Sequence, residues 1–422
     1  MLEQPYFGRR LKRLRLERGL SQAGLVGEGM STGYLSRLES GDRRPTERAT
    51  AYLAERLGVD ASVLTGPPPQ RPLTYELAVA SSAPSGMRDL AALGRAVDED
   101  AGDDPAARWQ ALWLLSRGAR RAGDFAEERE HLDRLVELGE AVEVPELRVR
   151  SLVAYARCTR ALGDMRTAEP AAAKAFGLAR SEGLAVSDTL AALTVLTGIE
   201  ADLGRLDAAA RHADDLERDL LPAAAPGQAA EGWWTAATVC GRRGDHAAAR
   251  SRLDTALRLL RGTDNLALWT RLRLAATAAA LEMTPPHVGT AECWLAEAAS
   301  VVDLIGTPAQ TQELRALRAH LAFHRGRPDE ARAISAALLA EEDLRLSYRD
   351  RVRLSVLHGR LTILSGRVEE GITVLQGLGR QAAESRNLDL SAHVWQTLAQ
   401  TLAELRLPHT TAADGGASRG VR

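Results

Sequence analysis

The chain has 422 residues, 45% hydrophobic and 26% charged, an ordinary soluble composition in a chain too long for one core, so it holds several domains or a repeat array. Two lysines, Lys12 and Lys174, stand against 52 arginines, the usage of a very GC-rich genome, so arginine content alone argues little for nucleic acid. The net charge of −2 is unevenly spread, residues 1–65 carrying +3 and residues 66–422 carrying −5, which excludes a protein that coats nucleic acid along its whole length.

In chain order, residues 1–66 read as five helices around a small core. Phe7, Leu11 and Leu14 recur at i, i+4 and i+7, predicting an amphipathic first helix. Ser21 and Ser31 are N-cap residues for two short helices that meet across a tight turn. The first offers Leu25 and Val26 to the core, the second Leu35 and Leu38 on one face. Thr32, Gly33, Ser36 and Arg37 then point the other way. A short polar face with one arginine suits a major groove, where arginine pairs bidentately with guanine. Thr46 caps a fourth helix with Glu47 in its first turn, Tyr52, Leu53 and Leu57 on its apolar face and Gly58 at its stop. Asp60 caps a last short helix that carries Val63 and Leu64 and closes at Gly66.

Residues 6–66 resemble the lambda-repressor-like (Cro type, XRE) helix-turn-helix family. The resemblance rests on Gln22 at the start of the second helix, on Leu35-Ser36-Arg37-Leu38-Glu39-Ser40-Gly41, and on Arg15 at the basic position of the first helix. It implies an Arg15–Glu39 bridge between the first and third helices. It also implies a base-facing set of Thr32, Gly33 and Arg37, with Ser31 and Ser36 beside it, and a phosphate set of Gln22, Arg43 and Arg44 on double-stranded DNA. The stretch from Leu20 to Ser31 is one residue shorter than the family's pattern and contains Gly24, Gly27 and Gly29, so the second helix is expected to end early.

Pro67-Pro68-Pro69-Gln70-Arg71-Pro72 reads as a stiff linker, residues 67–72. From residue 73 to 407 the chain repeats. A turn of glycine followed by aspartate or arginine recurs at Gly123, Gly163, Gly204, Gly244, Gly326 and Gly366, at intervals of 40, 41, 40, 82 and 40. The doubled interval places a missing turn near Pro285-Pro286. Seven residues before each turn stand Ser116, Ala156, Thr197, Ala237, Ala279, Ala319 and Gly359, all small. Five after stand Ala168, Ala209, Ala249, Ala291 and Ala331, with Glu128 and Gly371 as exceptions. Small residues on both sides of a turn let two antiparallel helices approach closely, and each pair must stack on its neighbours to bury its apolar face. Seven units follow, with a degenerate eighth at 72–100 around Gly86, and a disordered tail at 408–422.

This array resembles the tetratricopeptide repeat family, with longer units. The fold class is therefore all-α: a small five-helix DNA-binding domain followed by an α-solenoid. The family's inward positions fall on Gln110, Trp113, Arg117, Arg120 and Arg121, on Arg150, Arg157 and Arg160, and on Glu231, Trp234 and Arg242. This cluster suits a peptide, a small acidic ligand or a protein partner as effector, set against the alternative of a solvated arginine face written by GC bias. Trp109, Trp233, Trp269, Trp294 and Trp395 read as core. Cys158, Cys240 and Cys293 have no metal-ligand spacing and read as buried small hydrophobes.

No glycine–lysine pair, metal-ligand pairing of histidines or nucleophile elbow is present, so neither an enzyme nor a metal or cofactor is expected. No apolar run of about eighteen residues occurs and none follows a basic start, so a cytoplasmic protein without a membrane span is expected. The whole resembles bacterial regulators, of actinobacterial type, with an N-terminal helix-turn-helix and a C-terminal tetratricopeptide sensor. The resemblance implies a homodimeric transcriptional regulator. The alternative is a repeat scaffold whose head no longer reads DNA.

Overall fold

The computed structural model describes residues 6–27, 29–65, 72–83, 90–99, 104–283 and 285–406. The linker reading at 67–71, the stop at Gly66, the turn at Gly86 and the tail at 408–422 lie outside them. The chain forms two compact units, Met1–Ala83 with Asp98–Asp100 and Pro84–Val97 with Ala101–Arg422.

The first unit holds α1 (Tyr6–Glu17), α2 (Gln22–Leu25), α3 (Thr32–Ser40), α4 (Glu47–Leu57), α5 (Ala61–Thr65) and α6 (Leu73–Ser82). Phe7, Leu11, Leu25, Leu35, Leu38, Leu53, Leu57 and Leu64 form its core, with Leu14, Val26 and Tyr52 half-buried around them. Each cap expected from the sequence is made: Ser21 Oγ accepts from the Gly24 amide at 3.0 Å, Ser31 Oγ from Tyr34 at 3.2 Å and Thr46 Oγ1 from Ala49 at 3.2 Å. Asp60 Oδ1 accepts from the Ser62 amide at 2.8 Å. α3 and α4 stop at Gly41 and Gly58, both left-handed, with φ of 87° and 65°. The second helix does end early. Val26 is already extended, because Gly24 and Gly27 lose more backbone entropy in a helix than any other residue would.

The second unit holds α7 (Ala91–Glu99) up to Val97 and continues as seven antiparallel pairs. These are α8 (Pro105–Ala122) with α9 (Phe125–Ala141), α10 (Pro145–Leu162) with α11 (Met165–Ser181), and α12 (Val186–Asp202) with α13 (Leu206–Asp215). Then come α14 (Pro226–Arg242) with α15 (His246–Leu259), α16 (Leu266–Glu282) with α17 (Val288–Ile305), α18 (Pro308–His324) with α19 (Pro328–Leu339), and α20 (Tyr348–Leu364) with α21 (Val368–Glu384). α22 (Leu388–Arg406) follows. No described residue is in a strand. The array is a tetratricopeptide-like α-solenoid in the predicted register, and its unmarked turn lies between Glu282 and Val288.

The repeated dipeptide has a plain cause. The glycine takes a left-handed φ, between 71° and 95° in the six marked turns, and its neighbour starts the next helix. Asp124, Asp164 and Asp245 accept from amides three residues on, at 3.0, 3.2 and 2.9 Å, while Arg205, Arg327 and Arg367 make no side-chain cap. The small residues lie between the paired helices: Ser116, Ala156, Thr197, Ala237, Ala319 and Gly359 are buried, with Ala279 half-buried. After the turns, Glu128, Ala168, Ala209, Ala249, Ala291, Ala331 and Gly371 are all buried. At the tightest pair, a Cβ on Gly371 would stand 2.7 Å from the Gly359 carbonyl oxygen.

Two expectations fail. Trp395, read as core, is 41% exposed, because it lies on α22 and no described helix follows to cover that face. Cys293, read as buried, is exposed on α17, whereas Cys158 is buried and Cys240 half-buried. No described helix is long and apolar enough to cross a membrane.

Candidate nucleic-acid interface and the inner face of the array

Three helices of the first unit are tied by one buried carboxylate. Arg15 Nε donates to Glu39 Oε1 at 2.7 Å and its Nη2 to Oε2 at 2.9 Å, a bidentate pair between α1 and α3. Gln22 Nε2, at the start of α2, donates to the same Oε2 at 2.8 Å, and Arg15 Nη1 to the Leu20 carbonyl at 2.8 Å. Enclosure would raise the Glu39 carboxyl, but hydrogen bonds from Arg15 and Gln22 outweigh it and hold Glu39 below the ordinary carboxylate range. The bridge is the one the sequence implied. Gln22, expected against a phosphate, gives one of its two amide hydrogens to Glu39.

Two further supports were missed by the sequence reading. Arg56 of α4 donates to the carbonyls of Leu25, at 3.1 Å, and Gly24, at 3.3 Å, closing the open end of the four-residue α2. Gly8 of α1 lies against α3, where a Cβ would stand 2.2 Å from the Leu38 carbonyl oxygen. A glycine in a helix interior that costs stability by its entropy is the available signal for such a close approach.

On the outer side of α3, Ser31, Thr32, Gly33, Ser36 and Arg37 are all exposed, while Leu35, Leu38 and Glu39 are buried. Ser31 is occupied as the cap. Arg37 makes a long bond from Nε to the Gly33 carbonyl, 3.3 Å, along its own helix. Arg43 stacks over Tyr34 at 5.1 Å, and Arg44 is exposed beside it. The geometry is one rigidly held helix with a polar face and basic side chains past its end.

The array's inner arginines are arranged differently. Gln110 and Arg117 of α8 are exposed, and Trp113 stacks on the buried Trp109 at 5.2 Å. Arg121 is exposed as well. Arg120, Arg150, Arg157, Arg160 and Arg242 meet carboxylates. Arg120 lies 3.4 Å from Glu128, Arg150 grips Asp188 at 2.8 and 3.1 Å, and Arg157 lies 3.5 Å from Glu231, which also pairs with Arg271. Arg160 and Arg242 reach Asp202 at 2.6 and 2.7 Å. Trp234 is half-buried with Arg271 over its ring at 5.5 Å. At Arg157 enclosure lowers the pKa against the pull of Glu231, and Arg271, Arg120 and Arg160 lower it further. Arg120, Arg157, Arg160 and Arg242 are thus brought together, and Arg150 is taken up separately by Asp188.

The acidic partners were missed, yet a signal for them exists. The pairs Arg150–Asp188, Arg160–Asp202, Glu231–Arg271 and Arg349–Asp389 are separated by 38, 42, 40 and 40 residues, one repeat each. Opposite charges one period apart on inner helices of a solenoid are neighbours in space. No group of three or more metal-ligating side chains occurs among the described residues.

Residues 7–64 match the family described as a helix-turn-helix domain. No curated protein matches the chain. Among solved structures, a Rap protein complexed with competence and sporulation factor is similar over 90% of this chain and 99% of its own, at 12% identity and a TM-score of 0.51, a likeness of fold. PlcR of Bacillus thuringiensis, in complex with the peptide PapR7 and DNA, is 16% identical over 75% of this chain and 98% of its own, with a TM-score of 0.40. A tetratricopeptide repeat protein from Parabacteroides merdae is 16% identical over 70% of this chain and 98% of its own, with a TM-score of 0.39.

Proposed function

We propose that the chain is a transcriptional regulator that reads double-stranded DNA with α3 and receives an effector in its repeat array. One observation carries the reading: Thr32, Gly33, Ser36 and Arg37 stand exposed on one side of a helix whose other side is fixed by the Arg15–Glu39–Gln22 knot. A preorganised polar face with a bidentate donor fits base edges in a major groove, and Arg43 and Arg44 fit the flanking phosphates. The scaffold alternative drew its support from the shortened second helix. Arg56 and Gln22 hold that helix in place at both ends, which favours DNA reading.

One recognition helix spans only a few base pairs, so the protein acts as a homodimer on two half-sites about one helical turn apart. The effector belongs on the inner face around Arg120, Arg157, Arg271 and Trp234, where Glu231 is shared between two guanidiniums and leaves cationic groups for an acidic ligand. The fold's occurrence in a protein solved with competence and sporulation factor makes a signalling ligand the first class to try. The test is selection of DNA from a random pool by the full-length protein, with sedimentation of the complex. A recurring inverted repeat bound by two chains supports the reading; retention of no DNA above background leaves the scaffold.

A further inference from the structure

The turn glycines of the array divide into two sets. All six marked ones need a left-handed φ. Two, Gly123 and Gly163, have a second reason, and Gly204 lies at ordinary contact distance from a neighbour. A Cβ on Gly123 would stand 2.5 Å from Ala309, one on Gly163 would stand 2.5 Å from the Tyr348 ring, and one on Gly204 would touch Leu388 at 3.6 Å. Gly244, Gly326 and Gly366 face open space. The first three units therefore press their turns against the starts of α18, α20 and α22, and the solenoid returns on itself. Arg345 Nη1 donates to the Ala122 carbonyl at 2.8 Å and Asn387 Nδ2 to the Gly163 carbonyl at 2.9 Å across the same seam.

A charge knot closes it. Asp202, 3% exposed at the end of α12, accepts from Arg160 at 2.6 Å and Arg349 at 2.9 Å and forms an ion pair with Arg242 at 2.7 Å. Asp389 of α22 accepts from Arg349 at 2.5 Å and forms an ion pair with Arg242 at 3.3 Å. Glu282, paired with Arg353 at 2.6 Å, also acts on Arg349 and Arg242, so four guanidiniums face three carboxylates, and the buried Arg242 Nη1 has no hydrogen-bond partner. Arg160 reaches Asp202 by crossing Gly198, where a Cβ would stand 2.5 Å from Nη1.

We propose that this seam is a latch: Asp202 and Asp389 hold the superhelix closed through Arg160, Arg242 and Arg349, and a multivalent anion that takes those guanidiniums opens it. The second half rests on the reading of the array as an effector domain; the first does not. A carboxylate- or phosphate-bearing ligand offers the oxygens that Asp202 and Asp389 now supply, and the excess guanidinium gives it a point of entry. Opening frees the turns of the first three units and changes the length of the array.

The experiment is small-angle scattering and amide exchange on the full-length protein, wild type against Asp202→Asn, Asp389→Asn and Gly198→Ala. The last variant keeps every charge and only displaces Arg160. Sodium citrate and inorganic phosphate, each set against sodium chloride at equal ionic strength, are the ligand probes. The latch predicts a larger radius of gyration in all three variants, with helicity retained and exchange at the Gly123 and Gly163 turns faster by about tenfold. Citrate or phosphate opens the wild type beyond chloride and does nothing further in Asp202→Asn. Phosphate acting alone assigns the site to phosphate groups, citrate alone to carboxylates. Unchanged scattering and exchange in Asp389→Asn and Gly198→Ala overturn the latch, even where Asp202→Asn fails to fold. Chloride matching both anions overturns the anion gate. The effector reading fails on a different readout, a DNA titration that no array ligand alters.

Discussion

The head and the array use arginine in opposite ways. In the head one arginine, Arg15, is buried on a carboxylate so that others, Arg37 and Arg44, stand exposed on or beyond a fixed helix. In the array the arginines that composition would offer to a ligand are mostly consumed: Arg150, Arg160 and Arg242 each have a carboxylate within 2.8 Å. An arginine's availability is set by what the fold brings against it, and a sequence position alone does not reveal that.

The largest break in this contrast comes from removing the carboxylate of the head. Glu39→Ala leaves Arg15 buried and unpaired and unties Gln22, so the first unit should lose roughly 3–5 kcal/mol. Chemical denaturation followed at Tyr34 or Tyr52, which belong to that unit, should move while the tryptophan signal of the array stays. In the array, Ala237 and Ala319 are 5% and 0% exposed between paired helices. Ala→Leu at either should overpack and cost about 1–3 kcal/mol. Melting curves untouched by both would put the repeat register in error.

Acid sharpens the comparison further. Glu39 is held below the ordinary carboxylate range, so its contribution is whole above the unfolded value of about 4.3 and is lost as pH falls through the lower folded value. Asp202, pulled far lower against its enclosure by Arg160, Arg242 and Arg349, follows the same sign. The head's denaturation midpoint, with no histidine in residues 1–66, should be flat near neutrality and fall in acid, and Glu39→Gln should remove part of that fall. The array should start to lose stability sooner, as pH falls below about 6.5, because burial holds the folded His320 down at about 3. The smallest effect separates the two arginine classes directly. Arg44→Ala should weaken binding to all DNA alike and lower the salt slope by about one, whereas Arg150→Ala should leave DNA titrations unchanged.

Much of the fold was legible because its causes are local. The caps at Ser21, Ser31 and Thr46, the left-handed stops at Gly41 and Gly58, and the turns at Gly123 through Gly366 each follow from one or two residues and their backbone needs. The Arg15–Glu39 bridge was legible through a family pattern. The seam was not: Gly123 meeting Arg345, or Gly163 meeting Asn387, depends on how much each unit rotates against the next, a sum over seven pairs that no single residue encodes. The ion partners fell between these cases. Glu231 with Arg271 and Arg349 with Asp389 are one repeat apart, and a search for opposite charges at that spacing would have found them. Trp395 was misread because hydrophobicity reports a tendency to be covered, and the last helix has no described successor to cover it.

Arg37 offers the most direct test of DNA reading by α3. Full-length protein should select a preferred duplex from random DNA, and titrations of that duplex, its single-base variants and scrambled DNA should be run with wild type and Arg37→Ala. Arg37→Ala should lose about 1–3 kcal/mol on the selected duplex, relax preference at one base position and change little on scrambled DNA. Equal loss on every duplex, with preference at all positions intact, would contradict it.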